Sequence, residues 1–214
     1  MAGLDSTMVA FLDWNGVCKS DAGEGCLADG SGDDLRAFAT YWKEDSLKGT
    51  LMLLSFAPPR RRPDTLRYLK DAGLRDCFDR VIFTTDRVFG EMPSTRVERI
   101  KDEVGPDTDL SYTVYFCPKS GYLSLWRRNH PRTPALFVDD RFQILEEVCQ
   151  KEVHNIFCVL YAAQRRRPHL RDLSPEWRWY PDRDILLHSG GHRMDFARGL
   201  AELFQIAHSV QACW

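Results

Sequence analysis

The hydrophobic positions of this chain fall into short continuous runs rather than alternating ones. VAFL (9–12), TLMLLSF (50–56), RVIFTT (80–85), YTVYF (112–116), ALFVDD (135–140) and IFCVLYA (156–162) each read as a strand covered on both faces, as in a mostly parallel sheet. Helical spacing fills the intervals. DDLRAFATYWKED (33–45) has a polar start that predicts a side-chain cap. PDTLRYLKDAG (63–73) opens on Pro and closes on Gly, the expected helix punctuation. GYLSLWRRNH (121–130), RFQILEEVCQK (141–151) and MDFARGLAELFQIAH (194–208) complete the helical set. This alternation predicts an α/β fold with helices flanking a mostly parallel central sheet. RRRPHLRDLSPEWRWYPDRD (165–184) is rich in Arg and Pro and reads as an irregular connection.

Composition narrows the function classes. The 214 residues suit a single domain, and 43% hydrophobic with 28% charged residues is the balance of an ordinary globular protein. A formal net charge of −2 argues against generic polyanion binding, so nucleic acid is not the favoured partner. No apolar run approaches the roughly 18 residues of a membrane span, so no membrane partner is expected. The stretch MAGLDSTMVAFLDW carries Asp5 and Asp13 and lacks a basic start, so it does not read as a signal peptide. Cysteines 18, 26, 77, 117, 149, 158 and 213 form no CxxC pair, which predicts reduced thiols and a cytoplasmic protein.

In a parallel α/β sheet, ligands bind beyond the carboxyl ends of the strands. The polar residues expected there are Asp13 and Asn15 after the first strand, Ser55 after the second, and Asp139 and Asp140 after ALFVDD. Lys119, in YFCPKSG, precedes a helix. Carboxylates, a hydroxyl and an ammonium together suit a hard divalent cation and a phosphoryl group. GEGCLA (23–28) has the glycine spacing of a dinucleotide loop, but it does not bridge a strand end and a helix start.

Asp13-Trp14-Asn15-Gly16-Val17 resembles the first motif of the haloacid dehalogenase-like superfamily, with Asn in the second acidic position. LMLLS ending on Ser55, Lys119 in CPKSG and the paired acids of ALFVDD resemble its second, third and fourth motifs, in the family's order. Receiver domains also combine Asp, Ser or Thr and Lys, but their acidic pair lies on the first strand. The resemblance covers a motif-bearing core at about 9–162 and leaves residues 163–214 as a C-terminal extension without an assigned role. It implies a three-layer sandwich and a Mg2+-dependent phosphohydrolase or phosphotransferase. Asp13 would be the nucleophile, forming an aspartyl-phosphate. Asp13, the Asn15 backbone carbonyl, Asp139 and Asp140 would hold Mg2+. Ser55 would bind the transferred phosphoryl group, and Lys119 would offset its charge.

The amide at position 15 changes the expectation. In family phosphatases the second Asp protonates the leaving group and activates water, which an amide cannot do. Losing a positioned acid–base group costs about 10²–10⁴ in rate. A slow phosphatase favouring good leaving groups, replacement of the missing acid by another group, and a weakly active or inactive protein that binds a phosphorylated ligand or a macromolecular partner all remain open. Residues 18–32 are Gly-rich and too few for a folded cap, and 87–111 is likewise short. A minimally capped member with an open site implies a large or macromolecular phosphorylated substrate.

Other features have plainer readings. The runs Arg60–Arg62, Arg127–Arg128 and Arg165–Arg167 read as solvated surface, with the first close enough to Ser55 for substrate contact. His188 and His192 in HSGGH read as loop residues rather than a helical metal pair, Trp177 and Trp179 as packing residues, and Trp14 as packing or lining the site. Cys18 lies near the site, with nothing beside it to make it a nucleophile.

Overall fold

The computed structural model describes residues 8–20, 26–28, 30–45, 48–85, 99–100, 112–151, 155–161, 174–180 and 185–188. Among the described residues nine strands form one sheet: β1 (Val9–Leu12), β2 (Thr50–Phe56), β3 (Arg80–Thr85), β4 (Arg99–Ile100), β5 (Thr113–Phe116), β6 (Ala135–Asp139), β7 (Ile156–Leu160), β8 (Trp177–Tyr180) and β9 (Ile185–His188). Their order across the sheet is β4-β5-β3-β2-β1-β6-β7-β9-β8. The central run from β5 to β7 is parallel throughout, and β4, β9 and β8 add antiparallel edges.

Four α-helices are present among the described residues: α1 (Asp33–Thr40), α2 (Arg62–Asp71), α3 (Lys119–Asn129) and α4 (Phe142–Gln150). The strand pleat sends alternate residues to opposite faces. Ala10, Leu12, Leu51, Leu53, Val81 and Phe83 share one buried cluster with Leu35 and Phe38 of α1 and Leu66 and Leu69 of α2. Val9, Phe11, Met52, Leu54 and Ile82 belong to the other, with Leu123 and Trp126 of α3 and Leu145 and Val148 of α4. Phe11 meets Trp126 edge-on at 5.2 Å between ring centroids. The continuous apolar runs follow from this: each central strand supplies both layers.

The path of the chain explains which helices share a face. From β1 it steps outward through β2 and β3; from β5 it crosses back to β6 on the other side of β1 and continues to β7. Right-handed crossovers taken in opposite directions place their helices on opposite faces. The reversal makes the β1/β6 boundary the switch point of the sheet, where a crevice opens. The carboxyl ends of β1 and β6 are level there, since Leu12 pairs with both Val138 and Leu53.

Several expectations need correction. The chain at 165–184 is not wholly irregular. Trp177–Tyr180 forms β8, paired antiparallel with β9, and Trp177 and Trp179 pack against the second apolar cluster. Alternating aromatic and polar residues suit an edge strand covered on one side, unlike the doubly buried runs of the centre. His188 ends β9 rather than lying in a loop. The N-terminus of α1 is capped by Gly32 in a left-handed conformation (φ 75°), with no side-chain cap; Asp33 and Asp34 lie in the first turn, where they complement the helix dipole. Residues 41–45 continue α1 as one wider π-type turn. Arg62 is buried rather than solvated, its Nε donating to the Ala57 carbonyl at 3.1 Å. The helix expected over 194–208, His192, Arg165–Arg167 and most of 87–111 lie outside the described residues. No helix among the described residues is long and apolar enough to cross a membrane.

Candidate active site at the switch point

Asp13 is the first residue past β1, and its N–H donates to the Val138 carbonyl at 3.0 Å, so the carboxylate is held between β1 and β6. The chain then curls tightly. The amides of Cys18 and Lys19 donate to the Trp14 carbonyl at 3.1 and 2.8 Å, and Gly16 takes the positive φ of 84° that the turn requires. The Trp14 N–H donates to Asp13 Oδ1 at 2.7 Å. Asp139 closes β6, and its Oδ1 accepts from the Arg141 N–H at 2.9 Å.

Lys119 joins the two strand ends. Its Nζ lies 2.8 Å from Asp13 Oδ2 and donates to Asp139 Oδ2 at 2.7 Å, with all three side chains almost wholly buried. It is the first residue of α3, where the helix dipole opposes a cation. Burial also acts against its charge, but Asp13 and Asp139 together outweigh burial and hold the ammonium above the ordinary lysine range. A cation buried at the wrong end of a helix is sustained by these two ion pairs.

The acids are less well compensated. Ligand oxygens of Asp13, Asp139 and Asp140 lie within 4.8 Å of one another. Three carboxylates and one ammonium are thus drawn into one cluster. Burial is the largest influence on Asp13 and raises its pKa to about 7; Lys119 opposes the rise, while Asp139 and Asp140 add to it. An all-oxygen donor set of three carboxylates fits a hard divalent cation. Ser55, at the end of β2, adds a buried hydroxyl whose Oγ has no hydrogen-bond partner among the described residues. Such an orphan costs about 1–3 kcal/mol and is offset when a ligand supplies a partner.

Above the cluster is a cavity of about 740 Å³. Asp13, Lys119 and Asp140 line it, as does the exposed side chain of Asn15; Ser55 and Asp139 stay behind its wall. Asp13, Lys119, Asp139 and Asp140 are thus brought together, with Asn15 at the solvent side and Ser55 buried without a hydrogen bond to them. Cys18 is fully buried, and burial followed by the Asp13 charge pushes its thiol well above the ordinary range, so it is not a nucleophile here.

The rest of the lining was not legible as a set. Lys19, Arg60, Arg61 and Arg141 bring cations to the cavity, and Trp14 and Tyr68 bring aromatic surface. The Lys19 ammonium lies 3.7 Å from the Tyr68 ring centroid, and Tyr68 meets Trp14 edge-on at 5.5 Å. Of these, Arg60–Arg61 and Trp14 gave a sequence signal through nearness to a motif. Tyr68 and Lys19 gave none, because folding of α2 against the β1 turn brings them together. No family model, curated protein or solved structure matches the chain significantly.

Proposed function

We propose that this chain is a Mg2+-dependent phosphohydrolase or phosphotransferase on a haloacid dehalogenase-like core, acting through an aspartyl-phosphate on Asp13. The observation that carries this reading is Lys119 Nζ held between Asp13 and Asp139, with Asp140 in metal-sharing distance, under an open cavity. Asp13, Asp139 and Asp140 would hold the cation, as would the Asn15 backbone carbonyl by the family resemblance. When bound, the cation supplies charge neutralisation at the phosphoryl oxygens.

The chain's own residues then have distinct tasks. The Trp14 N–H and Lys119 engage the two Asp13 oxygens and so fix the plane of the carboxylate. An Asp13 oxygen attacks phosphorus, the bond to the leaving oxygen breaks, and that oxygen departs with the electron pair. Lys119 offsets the charge on the transferred group, and by the family resemblance Ser55 Oγ would donate to one of its oxygens. Water, or an acceptor hydroxyl, then takes the phosphoryl group from Asp13 and regenerates the carboxylate.

Asn15 sets the leaving-group range. It can hydrogen-bond the departing oxygen but cannot protonate it, so acyl phosphates and other good leaving groups are favoured over alkyl esters. The cationic lining from Lys19, Arg60, Arg61 and Arg141 favours a substrate with further negative charge, and the open cavity accommodates a large one. The same amide favours a second reading, in which the protein binds a phosphorylated ligand with little turnover. A screen of acyl, sugar, nucleotide and peptide phosphates, with Mg2+ and with EDTA, separates the two. Mg2+-dependent turnover lost in Asp13→Asn supports the enzyme. Metal-dependent binding of a phosphorylated compound without turnover supports the binder, and neither binding nor turnover contradicts both.

A further inference from the structure

A second chemical cluster lies at the edge of the sheet, away from the carboxyl ends. Cys149, near the carboxyl end of α4, is half-buried and lines a cavity of about 310 Å³ with Phe142, Trp177 and His188. Cys158, on β7, is fully buried and stands opposite His188 in the antiparallel β7–β9 register. Trp177 packs between Phe142 and His188, with ring centroids at 5.1 and 5.0 Å, and forms an apolar wall beside the thiol. One sulfur is thus reachable and the other is sealed beneath it.

We propose that Cys149 is a peroxide-reactive thiol that closes a disulfide with Cys158. Its surroundings favour the reactive thiolate. The Cys158 thiol hydrogen-bonds to Cys149 and is the largest influence, burial opposes it, and a hydrogen bond and charge from His188 add to the lowering; together they bring Cys149 down to about 6. Glu146 and the negative end of the α4 dipole act the other way and are outweighed. Cys158 is held protonated, first by the bond it gives Cys149 and then by burial. The cavity decides which thiol attacks: peroxide reaches the half-buried Cys149, while Cys158 is sealed beneath it and is left to resolve.

The chemistry balances with a hydroperoxide as the oxidant. The Cys149 thiolate attacks the terminal peroxide oxygen, the O–O bond breaks, and the leaving oxygen takes a proton to become water or an alcohol. Cys149 is then a sulfenic acid. Cys158 sulfur attacks the Cys149 sulfur, the S–O bond breaks, and the Cys158 proton leaves with the hydroxide as water. The two thiols are oxidised by two electrons and the peroxide is reduced by two.

The test treats the full chain with one equivalent of hydrogen peroxide at pH 7, followed by alkylation under denaturing conditions and peptide mapping. The expected product is lighter by two hydrogens, carries a Cys149–Cys158 cross-link and reverts with dithiothreitol. In Cys158→Ser the reaction stops at a Cys149 sulfenic acid that dimedone labels. His188→Gln slows alkylation of Cys149 by iodoacetamide at pH 7 on the order of tenfold. Both thiols still free after peroxide, oxidation of another cysteine ahead of Cys149, or an unchanged alkylation rate in His188→Gln would overturn the proposal. None of these readouts depends on turnover at Asp13.

Discussion

Asp13 and Cys149 are both acids withdrawn from water, the first buried at the centre of the sheet and the second half-buried toward its edge. Burial raises the pKa of each, yet the first ends high and the second low. Partners make the difference. Asp13 shares the Lys119 ammonium with Asp139 and has Asp140 beside it, so like charges reinforce burial. Cys149 accepts from Cys158 and His188, which outweigh burial, Glu146 and the α4 dipole. The centre is therefore built to receive positive charge. Under the proposal above, the edge already holds its donors and loses electrons to a peroxide.

The comparison can be broken most severely at Asp13. Asp13→Asn removes the nucleophile and half of the Lys119 pairing, and metal-dependent phosphoryl turnover should fall to background in a steady-state assay. Lys119→Met comes next. It leaves Asp13 and Asp139 without their shared cation, a loss of about 3–5 kcal/mol for a broken buried ion pair, visible in urea unfolding without metal. The same substitution should leave Cys149 alkylation unchanged, which keeps centre and edge separate. Asn15→Asp restores a carboxyl at the cavity, and turnover of poor leaving groups should rise by about 10²–10⁴. A rise confined to acyl phosphates would contradict the role given to Asn15.

Smaller effects sharpen the electrostatic part. Because the folded pKa of Asp13 is raised from 3.8 to about 7, its contribution to stability is fully present below pH 3.8 and is lost as pH rises through 7. A cation that neutralises the cluster recovers that loss, so Mg2+ should raise the melting temperature more at pH 8 than at pH 5. Equal shifts at the two values would indicate binding elsewhere. Ser55→Ala removes a buried hydroxyl with no partner among the described residues, so stability should hold or rise by about 1 kcal/mol while turnover falls. Parallel loss of both would mean that Ser55 serves the fold.

The centre of the sheet was legible because chemistry there is tied to strand ends. VAFL, LMLL and ALFV are buried runs, and each is followed directly by a polar residue, Asp13, Ser55 and Asp139. Lys119 was legible as a charge at a helix start, where a lysine is otherwise unfavourable. The edge was not. WRWY and ILLH are four-residue antiparallel strands among prolines and charges, and Cys149, Cys158 and His188 share no spacing in sequence. Only the β7–β9 pairing brings His188 to the thiols.

The central claim is that Asp13 accepts a phosphoryl group, and its most direct test is to trap that group. With Asn15 unable to activate water, the aspartyl-phosphate should persist long enough to be caught after incubation with acetyl phosphate and Mg2+. The account predicts one added phosphoryl group by intact mass. It should be lost with hydroxylamine, absent with EDTA and absent in Asp13→Asn. A phosphoryl group retained in Asp13→Asn would contradict the account, as would none in wild type at saturating acetyl phosphate.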